Sequence, residues 1–266
     1  MQHPPMVRPP AMAGAFYPLR PRDLQSALDT AWAGRRVVQA KPPKALIAPH
    51  AGYQYSGAVA ASAYALLQGG ERSIERVVLL GPSHHFALPG FCVPLADAWQ
   101  TPLGNVALDT DMLAELSARP DVLASDRPHE PEHALEVQLP FLQRVLHGPW
   151  KLVPVLVGKV PAAQVADLLD AVWGGPETLV VVSSDLSHFH PQREAERIDA
   201  ETVASIAALR SEAISGDRAC GARPVAGLLE AARRHGLHAH VIDVRTSADA
   251  GGDSQRVVGY ASVLLD

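Results

Sequence analysis

Short, unbroken apolar runs alternate with amphipathic stretches along most of this chain. Ala45–Ala48 and residues 77–80, 152–157 and 179–182 carry no polar face, which is the pattern of strands buried on both sides. Residues 90–95 and 239–244 and Val257–Leu265 read as further strands, and residues 99–108, with Thr-Pro and Gly-Asn turn signals, read as a hairpin. Between the strands, apolar positions fall at helical spacing. Leu24, Ala27, Leu28 and Ala31 predict a helix over 23–32, ended by Gly34. Leu135, Leu139, Leu142 and Leu146 predict one over 132–146, kinked at Pro140. Further helices are predicted over 58–67, 161–173, 194–209 and 224–235, and through Met112, Leu113 and Leu116 with Asp109 as cap. Residues 1–20 read as an irregular arm whose Phe16 and Tyr17 pack on the body. No repeat or linker interrupts the alternation. The expectation is one α/β domain over 1–266, a three-layer α/β/α sandwich around a mostly parallel sheet.

Three of the strands run into loops that carry histidine. Ala45–Ala48 leads to His50; 77–80 leads past Gly81 and Pro82, read as ending the strand, to Ser83, His84 and His85; 179–182 leads to Asp185 and His188. The strand, loop, helix and strand over 45–80 form a βαβ unit, so the first two loops share one edge of the sheet. Binding groups collect outside the carboxyl ends of such strands. Imidazole is both a common metal ligand and a proton carrier near neutral pH. A metal or proton-transfer site at this edge is therefore expected. Asp185 can orient an imidazole or cap the following turn. His190, before Pro191, is expected to be exposed. Tyr53 and Tyr55 flank the His50 loop and read as lining.

Cys220 stands just before a helix, a position that favours thiolate. By itself a lone cysteine is more often a small buried hydrophobe, and Cys92, inside an apolar strand, fits that description better. The run Glu132-His133-Ala134-Leu135-Glu136 offers one histidine rather than the pair that a zinc-protease helix supplies.

Composition narrows the partners. With 47% hydrophobic and 19% charged residues in 266, the chain can bury a sizeable core. A formal charge of −5 and the absence of a basic window argue against nucleic acid or an anionic membrane surface as the main partner. The uncharged stretch 45–70 is broken by His50, Gln54, Tyr55 and Ser56 and does not read as a membrane span. The N-terminal residues lack the apolar core of a signal peptide, and two cysteines do not make a disulfide framework. The expected setting is cytoplasmic.

The segments APHAGYQYSG, LGPSHH, EHALEVQLPFL, VPVLVG, SSDLSHF and CGARPVAGLL resemble, in order and spacing, the signature segments of the MEMO family. Its bacterial and archaeal members are also called AmmeMemoRadiSam system protein B. The resemblance runs from AGAFYP to the last strand. It implies a fold similar to the class III extradiol (LigB-like) dioxygenases, which hold non-haem iron(II) with two histidines and a carboxylate and use a further histidine as acid/base. In the MEMO family the matching positions are two histidines and a cysteine. Carried onto this chain, they are His50, His84 and Cys220, with the acid/base histidine at His188 and Asp185 beside it. Ser83, His85, Tyr53 and Tyr55 would line the surrounding pocket.

Two departures limit the implication. Thiolate replaces carboxylate, so ring cleavage does not follow from the fold. Ala222 and Arg223 lie outside the matched pattern, which leaves the pocket's specificity open. The leading expectation is a metal-dependent redox protein holding iron(II), with copper or zinc as alternatives and an unnamed substrate. A reading of a different class keeps the pocket as a binding site for a small molecule or phosphopeptide, in a scaffold acting with radical-SAM and AMMECR-type partners. Zinc hydrolysis suits two histidines and a cysteine, but the fold resemblance speaks against it.

Overall fold

The computed structural model describes residues 5–35, 43–68 and 74–266. The chain enters through β1 (Val7–Arg8), within the segment expected to be irregular, and then forms α1 (Pro21–Trp32). Tyr17 is buried and Phe16 half-buried, as expected, while residues 1–4 lie outside the described residues. β2 (Ala45–Ala48) follows, then α2 (Tyr53–Tyr64), which starts five residues earlier than the apolar spacing suggested. Polar Tyr53, Gln54 and Tyr55 hide that first turn, which Ser56 ties down by donating to the Ala51 carbonyl.

β3 (Arg76–Pro82) runs straight through Gly81 and Pro82 instead of ending before them. These two residues pair with Leu156 and Val157 on one side only, where a missing N–H costs no ladder bond on the other side. A side chain at Gly81 would press on Leu135 and Ala134, so glycine lets that segment lie across the strand end.

β4 (Phe91–Val93), the expected hairpin β5 (Ala98–Thr101) and β6 (Gly104–Ala107), and α3 (Thr110–Ser117) follow. Asp109 caps α3 by accepting from the Met112 N–H. After β7 (Val122–Ala124) the predicted long helix is a 3-10 turn, Glu136–Gln138, leading into α4 (Leu139–Val145). Pro140 does not kink it. It sits in the first turn, where a missing N–H is harmless. β8 (Lys151–Val157), α5 (Ala162–Val172), β9 (Thr178–Ser183), β10 (His188–His190), α6 (Gln192–Ala207), α7 (Ala222–Arg234), β11 (Ala239–Thr246) and β12 (Val257–Leu265) complete the chain. His190, in β10 beside Val257, is half-buried rather than exposed.

Among the described residues the main sheet has nine strands, in the order β10-β12-β2-β9-β3-β8-β4-β7, with β11 on β12. Its centre, β2-β9-β3-β8, is parallel, and β12 and β4 flank it antiparallel. The central strands are buried along almost their full length, as their unbroken apolar runs require, and helices flank the sheet. A second sheet, β1-β5-β6, anchors the N-terminal segment. No helix among the described residues is long and apolar enough to cross a membrane.

α7 packs against α5 through Gly227, where a methyl group would overlap Val165. Gly227→Ala is therefore expected to destabilise by about 1–3 kcal/mol despite alanine's better helix propensity. Equilibrium denaturation checks this, and a neutral or stabilising result would contradict the close packing.

Candidate metal centre

The parallel register of β2 and β9 sets Ala48 opposite Ser183. His50 and Asp185, each two residues further on, therefore leave the sheet side by side. Asp185 Oδ1 accepts the His50 backbone N–H at 2.7 Å. The His50 ring is buried, and the groups behind it fix its tautomer. Tyr64 donates to Gln138 Oε1, and Gln138 Nε2 donates to the Pro49 carbonyl and to Ser183 Oγ. Ser183 spends its own proton on the Ala134 carbonyl at 2.6 Å. Only an acceptor site remains on Ser183 Oγ, so His50 Nδ1, 2.9 Å away, is the protonated nitrogen. Nε2 keeps its lone pair and faces Cys220 Sγ at 3.1 Å. Burial, then the nearby His84, pushes the His50 imidazole down to about 3, so it is neutral at physiological pH.

His84 is fixed in the same way by Glu132. Its backbone N–H donates to Oε2 at 2.6 Å and its Nδ1 to Oε1 at 2.9 Å, which leaves Nε2 free. Burial would raise the Glu132 carboxyl, but the His84 side chain and the His84 and Ala134 N–H groups outweigh it and hold it at about 2. His133 Nδ1 lies 3.3 Å from the same oxygen, and its ring stacks on His84 at 4.7 Å and meets His50 edge-on at 5.3 Å. Burial, then His50, lowers His133 to about 4. Strand-end loops alone do not point to Glu132 or His133 as site residues. The run holding them fails a zinc-protease pattern because its partners come from β3. The segment EHALEVQLPFL, through its resemblance, is the sequence signal that points to that run.

Cys220 arrives from the turn before α7. Ser184 Oγ accepts the Gly221 N–H at 2.9 Å, and a side chain at Gly221 would collide with Ser184. Cys220 Sγ accepts the Asp185 N–H at 3.3 Å. The expectation that the helix start favours thiolate does not hold, because burial outweighs it. Burial, reinforced by the Asp185 carboxylate, pushes the thiol up to about 12. Its proton then points to the bare Nε2 of His50. Cys92 is a buried thiol raised to about 12 by burial, in line with its reading as a small hydrophobe.

Ligand atoms of His50, His84 and Cys220 all lie within 4.8 Å of one another. The same holds for Asp185, His188 and Cys220. Asp185, raised by its burial, accepts the His50 backbone N–H at Oδ1, so the histidine segment it holds is that of His50. His188 Nδ1 donates instead to the Leu186 carbonyl at 2.8 Å. Phe189 beside it holds φ at 65°, a left-handed value uncommon for an aromatic residue, with the Arg256 guanidinium 4.4 Å above its ring. Ser83 Oγ donates to the Phe86 carbonyl and closes the turn that carries His84. His85 is exposed, its ring 6.4 Å from that of His133. Tyr53 donates to the Val137 carbonyl and packs on Phe141, and Tyr55 is exposed. A cavity of about 790 Å³ opens over Ser83, His84 and Cys220.

The donors fit one cation. Two imidazole lone pairs and a sulfur converge, and both imidazoles are held by hydrogen bonds at the other ring nitrogen. The 3.1 Å between His50 Nε2 and Cys220 Sγ suits neighbouring ligands with bonds of roughly 2.1 and 2.3 Å.

Fold and site together describe an α/β protein with a candidate histidine and cysteine metal centre at the carboxyl edge of its sheet. The profile of the family described as Memo-like protein matches residues 8–264. A MEMO1 family protein of Methanosarcina mazei is 34% identical over 98% of this chain and 99% of its own length. Another from Aquifex aeolicus is 34% identical over 97% and 99%. The chain belongs to the Memo family. The solved structure of an uncharacterized protein, JW3007, from Escherichia coli K12 shares the fold with a TM-score of 0.52. It covers 82% of this chain and 98% of that one at 15% identity.

Proposed function

We propose that this Memo-family chain is a metal-dependent redox protein in which His50, His84 and Cys220 hold iron(II), with copper or zinc as the alternatives these donors accept. The observation that carries the reading is the preset tautomer of both histidines. Ser183 and Glu132 take the Nδ1 protons and leave two unshared lone pairs beside one sulfur. An iron or copper ion bound there would supply a Lewis acid and a one-electron couple. The thiol proton is the one lost on binding, since the His50 Nε2 lone pair beside it is itself needed as a ligand and cannot keep that proton. His188, its Nδ1 tied to Leu186, keeps Nε2 to take up or return a proton beside Cys220. The cavity above presents one open side to a substrate.

Metal analysis of protein purified without chelator tests this reading. Wild type is expected to carry iron or copper, and His50→Ala, His84→Ala and Cys220→Ser to lose it. Variants that retain metal like wild type would overturn the site. Oxygen uptake by the iron-loaded protein with catechols or reductants should exceed that of iron alone. If metal binds but no uptake follows, the pocket serves binding rather than catalysis. Glu132→Gln keeps the side chain's shape but weakens its hold on His84 Nδ1, and is expected to weaken metal affinity by about 10- to 100-fold. Competition with a chromophoric chelator measures this, and unchanged affinity would remove Glu132 from the site.

A further inference from the structure

The cavity over Cys220 and His84 carries charges that the metal-site reading does not use. Lys159, Arg223 and Glu212 line it and are exposed, while Phe86, Leu88 and Ile214 supply apolar wall. Among the described residues neither Lys159 nor Arg223 makes a side-chain ion pair or hydrogen bond. Several other arginines are occupied: Arg76 holds Asp109, Arg218 holds Glu201 and Arg234 holds Asp167 and Asp170.

The backbone beneath both cations is firmly placed. Lys159 follows β8 directly, and its N–H donates to the Leu88 carbonyl at 2.7 Å. Gly158 before it is pressed so close to the Leu88 and Gly90 carbonyls that no side chain fits there. Arg223 stands in the first turn of α7, three residues after Cys220, where the helix end itself favours an anion. Two unpaired cations and one carboxylate give the cavity lining a net positive charge, against a chain that is −5 overall. That local reversal suits a small anion entering a cavity rather than a polyanion lying on the surface.

The geometry points to a small organic anion as the ligand of this cavity. Its carboxylate or phosphate would meet Arg223 and Lys159, and its apolar body would lie against Phe86, Leu88 and Ile214 over Cys220 and His84. A volume of about 790 Å³ accommodates a ligand of that kind. Arg223 offers a planar two-toothed contact and Lys159 a point charge, so together they recognise charge without demanding one head-group shape. Lys159 and Arg223 are specificity-determining residues, not metal ligands. The inference rests on the proposed function only in taking the cavity floor as the reacting end.

Calorimetry on the full-length protein, with its metal content measured alongside, tests it using phenylacetate, phenyl phosphate and the uncharged phenylacetamide. Wild type is expected to bind the better anion about tenfold more tightly than the amide. The carboxylate and phosphate arms separate the two head groups. The Lys159→Gln/Arg223→Gln double variant should lose the preference while keeping amide binding and metal content, and Glu212→Gln should strengthen anion binding. Equal affinity for anion and amide, no anion binding at millimolar concentration, or a preference that survives in the double variant would overturn the proposal. Wild type that carries iron or copper but shows no preference leaves the metal reading standing and removes this one. A preference that depends on Lys159 and Arg223 in protein that binds no metal supports the anion site and removes the metal reading.

Discussion

Lowering the pH from about 7 to about 4 is expected to cost the folded protein roughly 3 kcal/mol through His129 alone. The ring is wholly buried, edge-on to Trp99 at 5.5 Å, and among the described residues neither nitrogen makes a well-formed hydrogen bond, the Cys92 backbone offering only a weak one. Burial, then the Arg8 cation, pushes it from 6.5 down to about 3. Above the unfolded value both states are neutral and His129 contributes no pH dependence. Below it the unfolded chain takes up a proton that the folded one refuses, so stability falls as the pH drops from 6.5 towards 3. His50 and His133, at about 3 and about 4, act in the same direction in the metal-free protein. Glu132 adds its loss only at lower pH, as its folded value of about 2 is approached. Against a typical total of about 5–15 kcal/mol, a loss of this size is a large fraction of the chain's stability. Denaturant titrations across this pH range, with wild type and His129→Phe, measure it. Phenylalanine keeps the edge contact and has no nitrogen to strand, so its stability should fall less steeply and match or exceed wild type at neutral pH. An equally steep fall in the variant would exclude His129 as a source.

Glu136→Gln is expected to destabilise by about 3–5 kcal/mol. The Glu136 carboxylate, fully buried, accepts from Arg8 Nη1 at 2.6 Å, the Ala11 and Met12 N–H groups at 2.9 and 2.8 Å, and the Tyr17 hydroxyl at 2.6 Å. The Arg8 guanidinium also donates to the carbonyls of His129, Glu130 and Glu132. A neutral amide leaves that cation buried without its countercharge and turns donors towards donors. The same cluster ties the N-terminal segment to the residues that carry Glu132 and His133. The loss should therefore appear in the denaturation midpoint and also as earlier proteolysis of the N-terminal segment. Replacing both partners, Arg8→Met with Glu136→Leu, should recover part of the stability, because no stranded charge remains. A double variant as unstable as Glu136→Gln would show that hydrogen bonds, not charge, dominate the cluster.

The sequence by itself determined the central strands and where they deliver their loops. Ala45–Ala48, 77–80, 152–157 and 179–182 are apolar on both faces, and only a sheet covered on both sides buries them. Parallel connection then sends His50, His84 and Asp185 to one edge. Cys220 became a site residue through resemblance, because a lone cysteine before a helix carries no pattern of its own. Tertiary structure decided the rest. It ran β3 on through Gly81 and Pro82, because β8 pairs beyond the point where β9 stops. It gave Asp185 to the His50 backbone and His188 to the Leu186 carbonyl, a choice that depends on the register of β2 against β9. It set Glu132 behind His84 across 48 residues and Arg8 on Glu136 across 128. Periodicity reports which face of an element is buried. It is silent on which polar group from a distant segment meets a buried one, and in this protein those distant partners set the tautomers, the charges and the candidate metal site.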